Sequence, residues 1–394
     1  MNQKHHCPSC GKTDMSVFYQ TKNNPAHSVL LLNSREEALN YPTGIITLGF
    51  CQACGFISNV DFDESLHEYS ARYEATQGFS PTFNAFHKRL AHDLIERYDL
   101  HNKDLIEIGC DKGDFITMLC ELGQNRGVGF DPAYVPGRIS TSLPHGQLQF
   151  VADFYSEKYT HYQADFVCCK MTLEHIGETA DFVQTVRRSI GQRDNTIVFF
   201  QIPNASYVFG DLAFWDVYYE HCSYFSKGSL ARLFRHVGFD VLNLWTDYDD
   251  QYLMIEARPG NGRNIPLSGE DDLAELTQMV ETFAAKVPQI IQKWQEEIGA
   301  MVANGRRIVL WGGGSKAVSF LTTLGLSLDS IEYVVDINPN KSGTFMAGTG
   351  QKIVAPQFLQ TYQPDVVIIM NPIYRDEIGR DLQNMGLSPQ IMTV

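Results

Sequence analysis

Leu105-Ile-Glu-Ile-Gly-Cys-Asp-Lys-Gly-Asp-Phe115 decides how the rest of this 394-residue chain reads. The run Leu105 to Ile108 has the character of a buried strand, and Gly109 and Gly113 allow a tight turn into a helix. Strand, glycine turn and helix in that order bring backbone close to a nucleotide in α/β folds. A nicotinamide cofactor would set its diphosphate on the helix N-terminus. Glu107, Asp111 and Asp114 crowd this turn, however, and carboxylates repel a diphosphate in a poorly screened pocket. They favour a cofactor with no phosphate and a cationic head. S-adenosylmethionine (SAM), with an ammonium and a sulfonium, fits.

Spacing downstream agrees with a Rossmann-like domain. Val128-Gly-Phe130 reads as a second strand ending on Asp131, 22 residues past Gly109, with Pro132 next to it. An acid there can take both ribose hydroxyls. Leu148 to Asp153 reads as a third strand, with Asp153 placed for the adenine amino group and Phe154 beside it. Ala164 to Lys170 is the fourth, with Lys170 at its cofactor end, and Thr196 to Ile202 the fifth. Side chains just past such strand ends line the ligand crevice, which puts His175 near the transferred group. Phe83 to Tyr98 has helical spacing and leads into the cofactor strand, while Gln251 to Ala257 is expected as a returning edge strand.

Composition narrows the class. Hydrophobic residues at 44% and charged ones at 20% are globular values, and no apolar run approaches a membrane span. A net charge of −15 argues against nucleic acid or an anionic membrane as partner. Nine cysteines without a signal peptide point to a reducing compartment, so a cytoplasmic location is expected, with thiols free or on metal. Cys7-Pro-Ser-Cys10 and Cys51-Gln-Ala-Cys54, each followed by glycine, form a zinc-ribbon pattern. Four thiolates make a closed tetrahedral site, hence a structural zinc. His5 and His6 are expected at the surface.

Phe214 to Phe225 is the densest polar-aromatic segment. Tyr218, Glu220, His221 and Tyr224 would be costly to bury without partners. The pattern fits His221 as a general base tuned by Glu220, with tyrosine hydroxyls as donors to an oxyanion, or else a surface loop with a satisfied histidine. Tyr73, in the bridge Leu66 to Tyr73, is a candidate lid residue over the acceptor, or part of the packing of the ribbon. Residues 258–268 read as a turn-rich linker and Asp271 to Val302 as a long helix interrupted near Pro288. A second α/β unit then opens on Trp311-Gly-Gly-Gly-Ser-Lys316, with a partner strand Ile331 to Asp336 and a later strand Asp365 to Met370. This turn carries no carboxylate but Ser315, Lys316 and free amides, which suit phosphate oxygens. The expected division is a zinc module over 1–65, a SAM-binding domain over 66–260 and a substrate-binding Rossmann-like domain over 261–394.

This order of parts resembles the SAM-dependent sugar C-methyltransferase family over nearly the whole chain. The residues that carry the resemblance are the paired knuckles, Glu107 to Gly113, Tyr218-Tyr-Glu-His-Cys-Ser-Tyr-Phe225, Trp311 to Lys316 and Val335-Asp-Ile-Asn-Pro-Asn-Lys341. The resemblance implies a nucleotide-linked 4-keto-deoxysugar as acceptor and His221 as the base that deprotonates the carbon next to the ketone. Tyr218, Glu220 and His175 would assist, and Ser315, Lys316 and Asp336 would hold the nucleotide end. Asp247 to Tyr252 stands where the family has a glycine-rich His-Gly-Gly-Ser stretch, and Met370-Asn371 where it has Trp-Asn. The alternatives are methyl transfer to oxygen or nitrogen of another small molecule, an oxidoreductase using the second glycine turn for NAD, and a non-enzymatic zinc-ribbon module.

Overall fold

The computed structural model describes residues 5–13, 15–67, 69–261 and 265–394. Its strands are, in chain order, β1 (Met15–Pro25), β2 (Thr43–Cys51), β3 (Ile57–Asn59), β4 (Asp104–Ile108), β5 (Arg126–Phe130), β6 (Leu148–Val151), β7 (Phe166–Lys170) and β8 (Ile197–Pro203). They continue as β9 (Ser223–Tyr224), β10 (Phe239–Asp247), β11 (Tyr252–Pro259), β12 (Ile308–Trp311), β13 (Tyr333–Val335), β14 (Lys352–Val354), β15 (Val366–Ile369) and β16 (Gln390–Thr393).

The central sheet runs β10-β11-β8-β7-β4-β5-β6. β4 to β8 pair in parallel, and β7 is buried along its whole length, as expected when helices cover both faces. Chain order leaves β4 in one direction towards β6 and in the other towards β8. The carboxyl ends of β4 and β7 therefore flank a topological switch point, where α/β sheets bind ligands. The C-terminal sheet, β14-β13-β12-β15-β16, is parallel throughout and repeats this switch at β12.

The N-terminal sheet is antiparallel in the order β1-β2-β3-β9. Its last strand comes from the Tyr218–Phe225 stretch: Tyr224 lies opposite Ile57 and Ser223 opposite Ser58. One buried apolar cluster joins Ile46, Leu48 and Ile57 of this sheet with Phe209, Phe214 and Tyr224, with Val280 and Phe283 of the long helix, and with Leu310 and Ile368 of the C-terminal sheet. The N-terminal and C-terminal sheets thus share a core, and a second cluster joins Met15, Cys51 and Phe56 to Ile106, Val167 and Phe200 of the central sheet. No helix of the described residues is long and apolar enough to cross a membrane.

Three expectations change. The segment after Gln251 is not an edge strand: β11 lies between β8 and β10, antiparallel to both, and β10 holds the edge. β10 escapes notice because its mixed, mostly half-buried sequence shows no clean alternation. Its hairpin to β11 turns through Tyr248, Asp249 and Asp250, all with φ between 56° and 58°. The helix Leu273–Ala303 runs unbroken through Pro288; this residue is exposed, on a face where water can reach the carbonyl that proline leaves unbonded. The third parallel strand stops at Val151, short of Asp153. Of the expected linker, Arg258 and Pro259 close β11, and residues 262–264 lie outside the described ones.

Candidate active site

A single cavity of about 630 Å³ opens beyond the carboxyl ends of both parallel sheets, and both glycine turns border it. Of the residues expected at the site, Tyr73, Glu107, Gly109, Asp111, Asp131, Pro132, Asp153, Phe154, Lys170, His175, Tyr218, Glu220, His221, Ser315, Lys316 and Asp336 all line it. Gly113 and Tyr224 do not. Gly113 shapes the turn from behind, with φ +93° and no room for a side chain against Phe150. Tyr224 is buried on β9, packed on Phe209.

At the first turn, Gly109 has φ +70°, and a Cβ there would fall on the Thr172 side chain. The amide of Asp111 donates to Asp131 Oδ2 (2.8 Å) and that of Ala133 to Oδ1 (2.7 Å), which fixes Asp131 while leaving further lone pairs for a ligand. Asp111 Oδ1 is buried without a hydrogen bond; the Lys112 ammonium approaches it at 3.3 Å. Burial pushes the Asp111 carboxyl up to about 6, and that of Glu107 up to about 7 against the pull of Lys170. A desolvated acidic turn with an unsatisfied oxygen fits a cationic ligand rich in donors, as SAM is. Asp153 is less free than expected: the Tyr159 hydroxyl donates to it (2.5 Å), and Lys158 pairs with the same oxygen.

His87 is a site residue the sequence reading missed, although it follows Phe83 by one helical turn on the apolar face of the helix Pro81–Tyr98. Its Nε2 lies 2.7 Å from Lys170 Nζ, and that ammonium sits 3.9 Å above the Phe115 ring. Burial brings Lys170 down to about 8.

Around His221 the partners differ from expectation. Glu220 does not tune it. The Glu220 carboxylate accepts from the Ser28 amide (3.0 Å) and hydroxyl and pairs with His27 Nδ1 at 2.8 Å. Burial alone would raise this carboxyl, but His27 and Ser28 bring it below the usual carboxylate range. Ser28 also bonds Ser315 (2.6 Å), so the second glycine turn connects to the residue beside His221. Neither His27 nor Ser28 carries a local sequence signal; both follow β1, far away in the chain. His221 Nε2 instead meets the Tyr218 hydroxyl at 2.9 Å and faces Glu174 Oε1 at 3.9 Å. Burial holds His221 well below the ordinary histidine range, with His175 and Lys316 adding to the effect. Its imidazole is therefore neutral at pH 7 and able to accept a proton.

At the second turn the Gly313 amide donates to Asp336 Oδ2 (2.9 Å), and Lys316 Nζ pairs with Asp216 at 2.7 Å and with Gln251 at 3.2 Å. Gln251 and Asn371, from the two stretches that depart from the family pattern, bond each other through their amides at 3.0 and 2.9 Å.

In the N-terminal unit, Cys7 and Cys54 lie 3.7 Å apart, as do Cys10 and Cys51, and all four sulfurs cluster within reach of one ion. Zinc–sulfur bonds of about 2.3 Å in a tetrahedron place sulfurs about 3.8 Å apart, so this cluster could hold zinc. His5 is partly exposed and His6 exposed.

Comparison with known proteins agrees. Residues 83–244 match a methyltransferase domain, and residues 267–388 a C-methyltransferase C-terminal domain. The C-methyltransferase NovU of Streptomyces niveus is 25% identical over 309 residues, 74% of this chain and 72% of that protein. Among solved structures, magnesium protoporphyrin IX methyltransferase of Synechocystis PCC 6803, with bound SAH, has a TM-score of 0.35 at 12% identity, over 45% of this chain and 84% of that one. The dimethyltransferase RosA of Streptomyces davawensis has a TM-score of 0.37 at 15% identity, over 45% and 56%. At these scores neither adds to what the strand order already says. The two domain matches, which fall on the central and the C-terminal parallel sheets, together with the likeness to NovU, make the chain a SAM-dependent methyltransferase that carries a C-methyltransferase C-terminal domain.

Proposed function

We propose that the protein methylates the carbon next to the ketone of a nucleotide-linked 4-keto-deoxysugar. The observation that carries this reading is the meeting, in one cavity, of an acidic glycine turn, a neutral buried histidine and a second glycine turn that presents Ser315 and Lys316. Residues Glu107, Asp111 and Asp131 would hold SAM, which supplies an electrophilic methyl group when bound. His221 takes the proton from the carbon beside the ketone, and Tyr218, bonded to Nε2, orients the imidazole. Glu220 holds the backbone beside the base through His27 and Ser28. Ser315 and the start of the helix Ser315–Leu324 receive the diphosphate, with Lys316 turning from Asp216 towards it. The four cysteines hold a structural zinc outside the chemistry. The comparisons support methyl transfer to carbon, and NovU carries the same description.

The test combines labelled SAM, a panel of nucleotide-linked 4-ketosugars, and wild type against His221→Asn. Product NMR should place the methyl on the carbon next to the ketone. The variant should lose about 10²–10⁴-fold in rate, the usual contribution of a positioned base, with SAM binding unchanged. A methyl found on oxygen or nitrogen would replace this reading with hydroxyl or amine methylation.

A further inference from the structure

Glu174 stands beside His175 just past β7, lines the cavity, and is 1% exposed. Among the described residues, neither of its carboxyl oxygens has a hydrogen-bond partner, and neither does the buried Nδ1 of His175. Such a group costs free energy unless a ligand completes it. His221 Nε2 is 3.9 Å away, too far for a direct hydrogen bond. The Tyr218 hydroxyl meets that nitrogen at 2.9 Å. A ketone oxygen and the hydrogen on the neighbouring carbon lie within one small group of atoms. A base and an oxygen donor that serve both must therefore stand a few ångströms apart, as His221 and Glu174 do.

We propose that Glu174 is a catalytic residue: its neutral carboxyl group donates a hydrogen bond to the acceptor's ketone oxygen, which gains negative charge as His221 removes the neighbouring proton. This rests on the C-methylation reading above. In the step, the C–H bond breaks and its electron pair forms the carbon–carbon double bond. The carbonyl π pair moves to oxygen and the proton to His221. Glu174 keeps its own proton throughout. The carbonyl would re-form as the carbon takes the methyl group from SAM, the methyl–sulfur bond breaking with its electron pair left on sulfur, and His221 returns its proton to solvent. Burial pushes the Glu174 carboxyl up to about 8, so it carries its proton at neutral pH. The ionisable groups facing it are Cys169 on β7, His175 beside it, Tyr218, His221 and Cys222 on the neighbouring turn, and Tyr69 and Tyr252 across the cavity.

The test follows exchange of the carbon-bound proton into D2O by NMR, using nucleotide-linked 4-ketosugars and S-adenosylhomocysteine, with wild type, E174A and E174Q. Thermal melts and S-adenosylhomocysteine binding report that each variant folds. The expected loss in E174A is about 10²–10³-fold, the cost of one oxyanion donor. E174Q keeps a donor and should lose no more than about tenfold on the same scale. Wild-type exchange should fall as pH rises through about 8, and E174Q should not show that fall. An E174A rate within about threefold of wild type, or an E174Q as slow as E174A, overturns the proposal. So does an exchange rate lost on brief chelation and restored by Mg²⁺ with the four-cysteine zinc retained, since Glu174, His175 and His221 would then be metal ligands. Absence of wild-type exchange with every ketosugar would instead remove the C-methylation reading, and this proposal with it.

Discussion

Asp111 and Glu107 carry the first turn's negative charge only when ionised, and burial has moved both carboxyls close to neutrality, up to about 6 and about 7. Their attraction for a cationic ligand is present above those values and fades as pH falls through them, because protonation removes the charge. SAM keeps its sulfonium and ammonium across that range. Affinity for SAM by calorimetry should therefore weaken by about tenfold or more between pH 8 and pH 5.5, one pK unit being worth a factor of ten. A flat profile would mean that the carboxylates do not meet the cofactor's charge. The same reasoning separates Glu220 from Glu174. The first is held ionised by His27 and Ser28 and supports the backbone, while the second has no hydrogen-bond partner among the described residues.

Gly109 shows what an element asks of a single position. β4 must end, reverse direction and start the helix Asp114–Gly123 within a few residues, and φ +70° at Gly109 makes the turn. Alanine there faces two penalties: a left-handed conformation and a Cβ placed on the Thr172 side chain. Gly109→Ala should cost about 1–3 kcal/mol of stability and push the turn away from the cofactor. A thermal melt should show the first effect, and at least about tenfold weaker SAM binding, equal to about 1.4 kcal/mol, the second. The hairpin between β10 and β11 works differently: its three consecutive left-handed residues include Tyr248, whose hydroxyl meets that of Tyr374 at 2.7 Å. The turn is held by a contact from the C-terminal unit rather than by glycine.

Across the whole molecule, the cysteine cluster is tied to the chemistry by strand pairing. Cys51 closes β2, β2 pairs with β3, and β3 pairs with β9, two residues beyond His221. Cys51→Ser should abolish zinc retention by elemental analysis and lower the melting temperature, since a structural zinc site contributes folding energy directly. It should also slow methyl transfer by more than it weakens SAM binding, because the acidic turn on β4 lies in a different sheet. Equal losses in both would show that the zinc unit supports the fold generally and not the His221 segment.

The amino-acid sequence by itself determined the parts whose chemistry is local. Apolar runs marked the parallel strands, glycine spacing the two glycine turns, and the cysteine knuckles the four-sulfur cluster, because period, turn geometry and cysteine spacing are written within a few residues. It also placed His221 and Tyr218 together, three residues apart. What only the tertiary structure decided is which distant groups meet. His27 and Ser28 reach Glu220 across 193 and 192 residues of sequence, so the expected Glu220–His221 pair is replaced by a partner from another sheet. Glu174 is buried by the fold and left unpaired, a state that no neighbour in sequence announces. Pro288 stays inside an unbroken helix because its face is exposed, and β11 becomes an inner strand because β10 covers it. Burial and partner choice are set by contacts between segments far apart in the chain, and these appear only once the three sheets pack together.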